Sequence, residues 1–278
     1  MKIAVISAEM QFEIERIKEE AEKRKHEVFV FHPQNLQAEI SRKKVFDIVL
    51  FRVLQGYASQ SRALALSFFS AGSKIVDEKL IYMIGKNKFT NYYSFFNADL
   101  NIPKTFFFNP RTVHSLPFEA DDWIVLKELD GKRGEGVFRL KFSEIHSFIS
   151  SLKGKEYLVQ EFLPFEEELR VLVIDGKAVG AFKKESVHWI KNMAKNAVGI
   201  NFKLNKEISD IAVKAAKSTS IEIAGVDLAL YEGKWFVLET NRSPQFQAFE
   251  NCTGINAAEK IVEYLEKKQK KKVSSSRV

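Results

Sequence analysis

The sequence predicts a mixed fold, an α/β domain at the front followed by two α+β units. Three observations carry that expectation. Over residues 1 to about 85, short apolar runs alternate with amphipathic segments, the mark of parallel strand–helix–strand units. From residue 104 onward, strand patterns are joined by Gly-containing turns such as Asp175-Gly176 and Glu232-Gly233-Lys234, which read as antiparallel hairpins. A chain of 278 residues, 45% hydrophobic and 28% charged, is long enough to bury two or three small cores.

The front domain reads in order. Ile3 to Ile6 is a short apolar strand, and Phe12, Ile14 and Ile17 with the charged run Lys18 to Lys25 make an amphipathic helix. Val28 to Phe31 is a strand, followed by a polar helical stretch near Leu36 to Lys44. Asp47 to Phe51 is the next strand, Ser61 to Ala71 a helix closed by Gly72, and Lys74 to Asp77 the last strand. No G-x-G-x-x-G follows the first strand, so this is not a dinucleotide-binding domain of the usual kind. From Lys88 a helix runs through Tyr92, Phe95 and Phe96 and stops before Ile102-Pro103. Strands near 104–108, 123–127, 137–140 and 157–163, with a helix near 143–151, complete a middle unit. The last block holds a hairpin turning at Asp175-Gly176, a helix over 206–220, a second hairpin over 224–241 and a final helix from Thr253-Gly254-Ile255. The chain divides accordingly into 1–87, 88–159 and 160–266, with a tail over 267–278 expected to be disordered.

Composition excludes several function classes. The net charge of +7 owes six cations to residues 267–278, which hold no acid, so the rest carries about +1 and offers no broad face for nucleic acid. No apolar run approaches the ~20 residues that span a membrane. The N-terminus is met too soon by charge to read as a signal peptide. One cysteine, Cys252, allows no intrachain disulfide and fits a reducing cytoplasm.

Several residues carry chemistry by type and place. Asp227 stands in the apolar strand Ala224 to Tyr231, and Glu239 and Asn241 end the strand Trp235 to Asn241. A three-residue connection, Glu232 to Lys234, sets Tyr231 across from Trp235 and Asp227 across from Glu239, with β-carbons roughly 5 Å apart. A two-residue connection sets Leu238 there instead. Two carboxylates and an amide on one face form an oxygen-only set suited to Mg²⁺; the alternative is two strand acids and a turn Asn with no ligand. The loop Asp130-Gly131-Lys132-Arg133-Gly134-Glu135-Gly136 lacks the G-x-x-x-x-G-K-[ST] pattern and joins strand to strand. It reads either as a lid over a polyphosphate or as a flexible surface turn. Lys127 ends an apolar strand beside it, aimed at a ligand or snorkelling to solvent. Arg170, in a buried strand, must find an anion, and Glu168 lies two residues away on the same face. Arg52 follows a strand of the front sheet at the end where such sheets hold ligands, with a surface arginine the commoner explanation.

Together these stretches resemble the ATP-grasp superfamily, and within it the RimK-like branch of ribosomal-protein glutamate ligases. The resemblance spans about residues 48 to 266 and rests on Gln160-Glu161-Phe162-Leu163, Glu168-Leu169-Arg170-Val171-Leu172-Val173, Ala224-Gly225-Val226-Asp227-Leu228 and Leu238-Glu239-Thr240-Asn241-Arg242-Ser243-Pro244. It implies an N-terminal α/β domain, a lid and a C-terminal unit, with ATP between the last two. It implies that Lys88 and Lys127 meet ATP phosphates under the loop bearing Gly131, Arg133, Gly134 and Gly136. Gln160, Glu161, Phe162 and Leu163 frame the adenine by the same resemblance, and Glu168 holds the ribose. Asp227, Glu239 and Asn241 then hold Mg²⁺ (or Mn²⁺), and Arg170 steadies the transferred phosphoryl group. That branch carries an Arg-Ser-Asn stretch and a His-Arg-Gly-Gly run where this chain reads Ile190 to Ala197; Asn192 is kept, and Lys191 and Lys195 stand in for arginines. The activity implied is an ATP-dependent ligase joining a carboxylate, an amino acid by analogy, to an amine of a protein, peptide or small molecule, with a homo-oligomer compatible. A small-molecule kinase on the same scaffold and a non-catalytic nucleotide-binding protein are the alternatives.

Overall fold

The computed structural model describes residues 1–271 except 41–42, 55, 82–86, 109–112, 114, 130, 132–135, 152–155 and 186–197. The front domain follows its hydrophobic periodicity. Strands β1 (Lys2–Ile6), β2 (Glu27–Phe31), β3 (Ile48–Phe51) and β4 (Lys74–Ile75) form a parallel sheet in the order β2-β1-β3-β4. Helices α1 (Phe12–Lys23) and α2 (Ala58–Ser70) cover opposite faces. Ile14 and Ile17 pack with Ile3, Val5, Ile48 and Leu50, whereas Leu64 and Ala65 pack with Ala4, Ile6, Val49 and Ile75. The helix expected from Leu36 to Lys44 is absent from the described part of that stretch. Instead Pro33–Asn35 makes one 3₁₀ turn, and the backbone at Glu39 is satisfied by Ser67, whose hydroxyl accepts its N–H at 3.0 Å. Ile40, 94% exposed, shows that this segment has no apolar stripe to bury.

The middle unit is an antiparallel sheet of β5 (Thr105–Phe107), β6 (Trp123–Glu128), β7 (Val137–Lys141) and β8 (Tyr157–Glu161), ordered β5-β8-β6-β7. Its core of Ile124, Leu126, Leu140, Ile145 and Val159 includes helix α4 (Ile145–Ser151). Helix α3 (Lys88–Asn97), whose N-terminus is closed by an Asn87–Thr90 capping box, leaves this unit. Its Tyr92 and Phe95 join the core of the last unit.

That last unit is built on the sheet β11-β10-β9-β12-β13, with β9 (Glu167–Ile174), β10 (Lys177–Glu185), β11 (Val198–Phe202), β12 (Ile223–Tyr231) and β13 (Lys234–Asn241), every neighbouring pair antiparallel. Alternation sorts its side chains into two cores. Leu169, Val171, Val173, Val226 and Leu228 face α3 and α5 (Lys206–Ser218). Leu172, Ile174, Phe182 and Ile223 face α1, α6 (Gln247–Thr253) and α7 (Ala257–Lys270), so this face and the front domain share one continuous core. Helix α7 carries the chain past the expected start of the tail: Lys267 pairs with Asp175, and Lys268 pairs with Glu222 at 2.8 Å. The residues beyond 271 lie outside the described part.

The hairpin of β12 and β13 corrects the expected turn. Tyr231 pairs with Lys234, so the connection is the two residues Glu232 and Gly233, with φ of 47° and 72°. Positive φ at both central positions is the type I′ geometry that suits strand twist. A regular ladder from that turn would set Leu238 against Asp227. The register instead shifts between Asp227 and Leu228, which pair with Glu239 and Val237, leaving Leu238 as the extra residue of a β-bulge. Past the bulge Glu239 changes sides: Val237 belongs to the apolar face with Leu228, while Glu239 stands opposite Asp227.

Gly225, two residues before Asp227, is a point of close approach. A β-carbon there would lie 2.8 Å from Pro244 Cβ and 3.1 Å from Arg170 Cδ. Gly225→Ala is therefore expected to destabilise the protein by about 1–3 kcal/mol through overpacking. Urea denaturation measures this, and an unshifted midpoint would show that the two neighbours move aside freely.

Candidate active site

The polar face of the last sheet gathers charge from three adjacent strands. Arg170 on β9 is the cross-strand neighbour of Asp227 on β12 and of Phe182 on β10. Its guanidinium engages both carboxylate oxygens: Nε donates to Oδ1, and Nη2 donates to Oδ2 at 2.8 Å. Lys184, two positions along β10 and 5% exposed, reaches the same Oδ2 at 2.9 Å. Asp227, 6% exposed, is thus held between two cations. Burial pushes its pKa up, but Arg170 and Lys184 outweigh that and set it at about 2. Burial pulls Arg170 down, and Asp227, followed by Glu239, carries it above its ordinary value. Sequence reasoning required an anion or carboxylate for Arg170 and noted Glu168 two residues away on the same face; the structure supplies Asp227 as that carboxylate and adds Lys184, which had not been singled out. A lysine in β10 with the parity of the buried Phe182 was the signal available.

Glu239 and Asn241 complete the face. Glu239 lies directly across from Asp227, and Asn241 across from Gly225. Among the described residues no three His, Cys, Asp or Glu side chains cluster into a metal cage. A hard cation here would draw on two carboxylates and an amide, with its remaining positions left to water and phosphate oxygens. The chemistry of this set fits Mg²⁺: oxygen donors only, one of them ionised far below neutral pH.

The nucleotide-side residues divide. Lys127 on β6 donates to Tyr92 Oη at 3.1 Å and lies 5.5 Å from that ring's centre. Tyr92 in turn donates to the carbonyl of the bulged Leu238 at 2.7 Å. Lys88 Nζ donates to the carbonyls of Glu128 at 2.8 Å and Leu129 at 3.2 Å, and to that of Gly131, across the end of β6. Gly136 accepts the Glu128 N–H at 2.8 Å on the other side of the loop. Gln160, 1% exposed, donates to Thr105 Oγ1 at 2.6 Å, and Glu161 accepts the Lys104 N–H at 2.8 Å. Phe162 lies under the Arg139 guanidinium at 4.9 Å, Leu163 is half-buried in the link to β9, and Glu168 pairs in register with Ala229. Arg133, Gly134, Lys191, Asn192 and Lys195 lie outside the described residues. Arg52 is not a surface arginine. It is 1% exposed, donates from Nη2 to Pro244 O at 2.9 Å and lies over the Phe246 ring.

Comparison with known proteins gives a consistent picture. The RimK-like ATP-grasp domain matches residues 112–265. A "Probable alpha-L-glutamate ligase" of Legionella pneumophila (strain Corby) is 29% identical over 303 residues, covering 97% of each chain. One of Psychromonas ingrahamii is 27% identical, covering 97% of this chain and 96% of its own length. Among solved structures, the ATP-grasp ligase PsnB complexed with minimal precursor, Mg and ADP superposes with a TM-score of 0.74 at 19% identity, over 96% of this chain and 97% of its own. At that identity the likeness establishes the fold.

Asp227 gives a stability expectation. Its folded pKa lies below the unfolded value near ~3.9, so its contribution is complete above that pH and is lost as pH falls toward about 2. Asp227→Asn leaves two buried cations short of a counter-charge and is expected to cost about 3–5 kcal/mol at pH 7. Denaturant titrations of both proteins should converge as the pH is lowered from 5 to 2; a constant difference would exclude Asp227 as the titrating group.

Proposed function

This chain belongs to the RimK-like ATP-grasp family, and on that premise we propose the reaction its residues serve. It is an ATP-grasp ligase. In the proposed reaction a substrate carboxylate oxygen attacks the γ-phosphorus of ATP, ADP leaves, and an acyl phosphate remains. An amine nitrogen then attacks the acyl carbon, releasing phosphate and a proton and leaving an amide. The observation that carries this reading is Glu239 standing across from Asp227 above Arg170 and Lys184.

Each residue has a part in the proposal. Asp227, Glu239 and Asn241 hold Mg²⁺, with Mn²⁺ as a substitute; the ion supplies charge neutralisation to phosphate oxygens. Arg170, fixed by its fork on Asp227, faces the transferred phosphoryl group, and phosphoryl transfer asks mainly for such positioned charge. Lys88 and Lys127 exchange their present oxygen partners for ATP phosphates as the Gly131–Gly136 loop, with Arg133 and Gly134, closes. Gln160, Glu161, Phe162 and Leu163 frame the adenine, and Glu168 holds the ribose. Lys191, Asn192 and Lys195 complete the acceptor side. The units bounded at 1–87, 88–159 and 160–266 move as front domain, lid and base. The relatives named as glutamate ligases support an amino acid, glutamate first, as one substrate, and a protein, peptide or small molecule as the other. The single cysteine supports a reducing cytoplasm as its location; among the described residues no helix is long and apolar enough to cross a membrane.

Glu239→Gln is the cleaner test, because Glu239 acts on Arg170 through its charge rather than through its fork on Asp227, so its amide leaves that ion pair standing. The variant is expected to keep wild-type thermal stability while amino-acid-dependent ADP release falls by at least about a hundredfold. Release at the wild-type rate would remove the ion assignment.

A further inference from the structure

Lys183 and Lys184 leave β10 on opposite faces and meet different surroundings. Lys183, half-buried, pairs with Glu167 at 3.0 Å and with Glu185 at 3.5 Å. Lys184 is buried, and the carboxylate its Nζ meets is that of Asp227, with Oδ2 at 2.9 Å. The same oxygen accepts from Arg170 Nη2 at 2.8 Å, and Oδ1 accepts from Arg170 Nε. Asp227 therefore has two cations in contact before any ion approaches. Glu239, across from it in the ladder, adds a second negative charge, and Asn241 adds none. Glu168, on the face of β9 that carries Arg170, has an interaction of its own. Two carboxylates beside one guanidinium and one ammonium sum to zero charge.

The affinity of an oxygen-lined site for a divalent ion rises with the negative charge of its ligands. A set without net charge, with a buried ammonium against one of its carboxylate oxygens, opposes a bare dication at short range. A nucleotide polyphosphate brings the missing negative charge together with further oxygen donors. We propose that Lys184 makes the ion site depend on nucleotide, opposing free Mg²⁺ and admitting the ion as its nucleotide complex. Arg170 does not suffice for this, since without Lys184 the site keeps one net negative charge. The inference rests on the reading of Asp227, Glu239 and Asn241 as the ion site.

Mn²⁺ tests it on the full chain. The electron paramagnetic resonance signal of the free ion reads binding without nucleotide, and calorimetry reads binding of the Mn²⁺–ADP complex. Lys184→Met should bind Mn²⁺ alone at least about tenfold more tightly than wild type and the Mn²⁺–ADP complex no more tightly. Lys184→Gln, which keeps a donor for Asp227, should show the same gain, and Lys184→Arg, which keeps the charge, should behave as wild type. A damaged fold loses affinity, so a gain separates this role from a structural one. Unchanged or weaker binding of Mn²⁺ alone in Lys184→Met and Lys184→Gln, a parallel tightening of the complex, or the same gain in Lys184→Arg would each overturn the proposal. Adding Glu239→Gln to Lys184→Met should remove the gain; a gain that survives would place the ion elsewhere and sink the ion-site reading together with this proposal. Loss of Mn²⁺–ADP binding in Glu239→Gln with no gain in Lys184→Met would keep that reading and refute this proposal alone.

Discussion

Asp227 remains ionised in the middle of a buried sheet because Arg170 and Lys184 approach it from the two preceding strands of the ladder. An isolated carboxylate in such a place would neutralise itself, since burial alone raises its pKa. With two cations in contact it is instead held at about 2. The same contacts fix Arg170, whose fork would otherwise be free to rotate. Charge, position and fold are therefore one device: the acid justifies the cations, and the cations keep the acid ionised.

The bulge at Leu238 sets the other half. Without it, the two-residue turn would carry Glu239 to the apolar face, among Leu228, Val237 and Trp235. The extra residue moves Glu239 to the face of Asp227, and the displaced Leu238 carbonyl is satisfied by Tyr92. Tyr92 also receives the ammonium of Lys127 from the middle sheet. A local irregularity in one hairpin is thereby tied to the unit proposed to close over nucleotide, through a helix whose apolar side is anchored in the last unit's core. Release of Lys127 toward a phosphate would loosen that tie at one hydrogen bond and leave the bulge intact.

Much of this was legible in the sequence. Alternating apolar runs gave the parallel front sheet, and Asp175-Gly176 gave the turn between β9 and β10 of the last sheet. The facing of Asp227 and Glu239 was also anticipated, but by a wrong route: a three-residue turn was assumed where a two-residue turn and a bulge compensate each other. Bulges are set by tertiary demands on a strand and leave little trace in hydrophobic alternation. Lys184 was missed because a lysine near a strand end looks like any solvated cation until the partner strand is known. Arg52 looked like a surface residue for the same reason, since the loop that buries it comes from almost two hundred residues away in the chain. The polar stretch around Leu36 had helical composition but no apolar face, and tertiary contacts at Ser67 decided against a helix.

The central claim is that Asp227, Glu239 and Asn241 form one oxygen-lined ion site on the face created by the bulge. Paramagnetic line broadening by Mn²⁺ in the presence of ADP, read on backbone amides, tests it most directly. Broadening should centre on Asp227, Glu239 and Asn241 and vanish in Glu239→Gln. Broadening centred elsewhere, or persisting unchanged in that variant, would contradict the account.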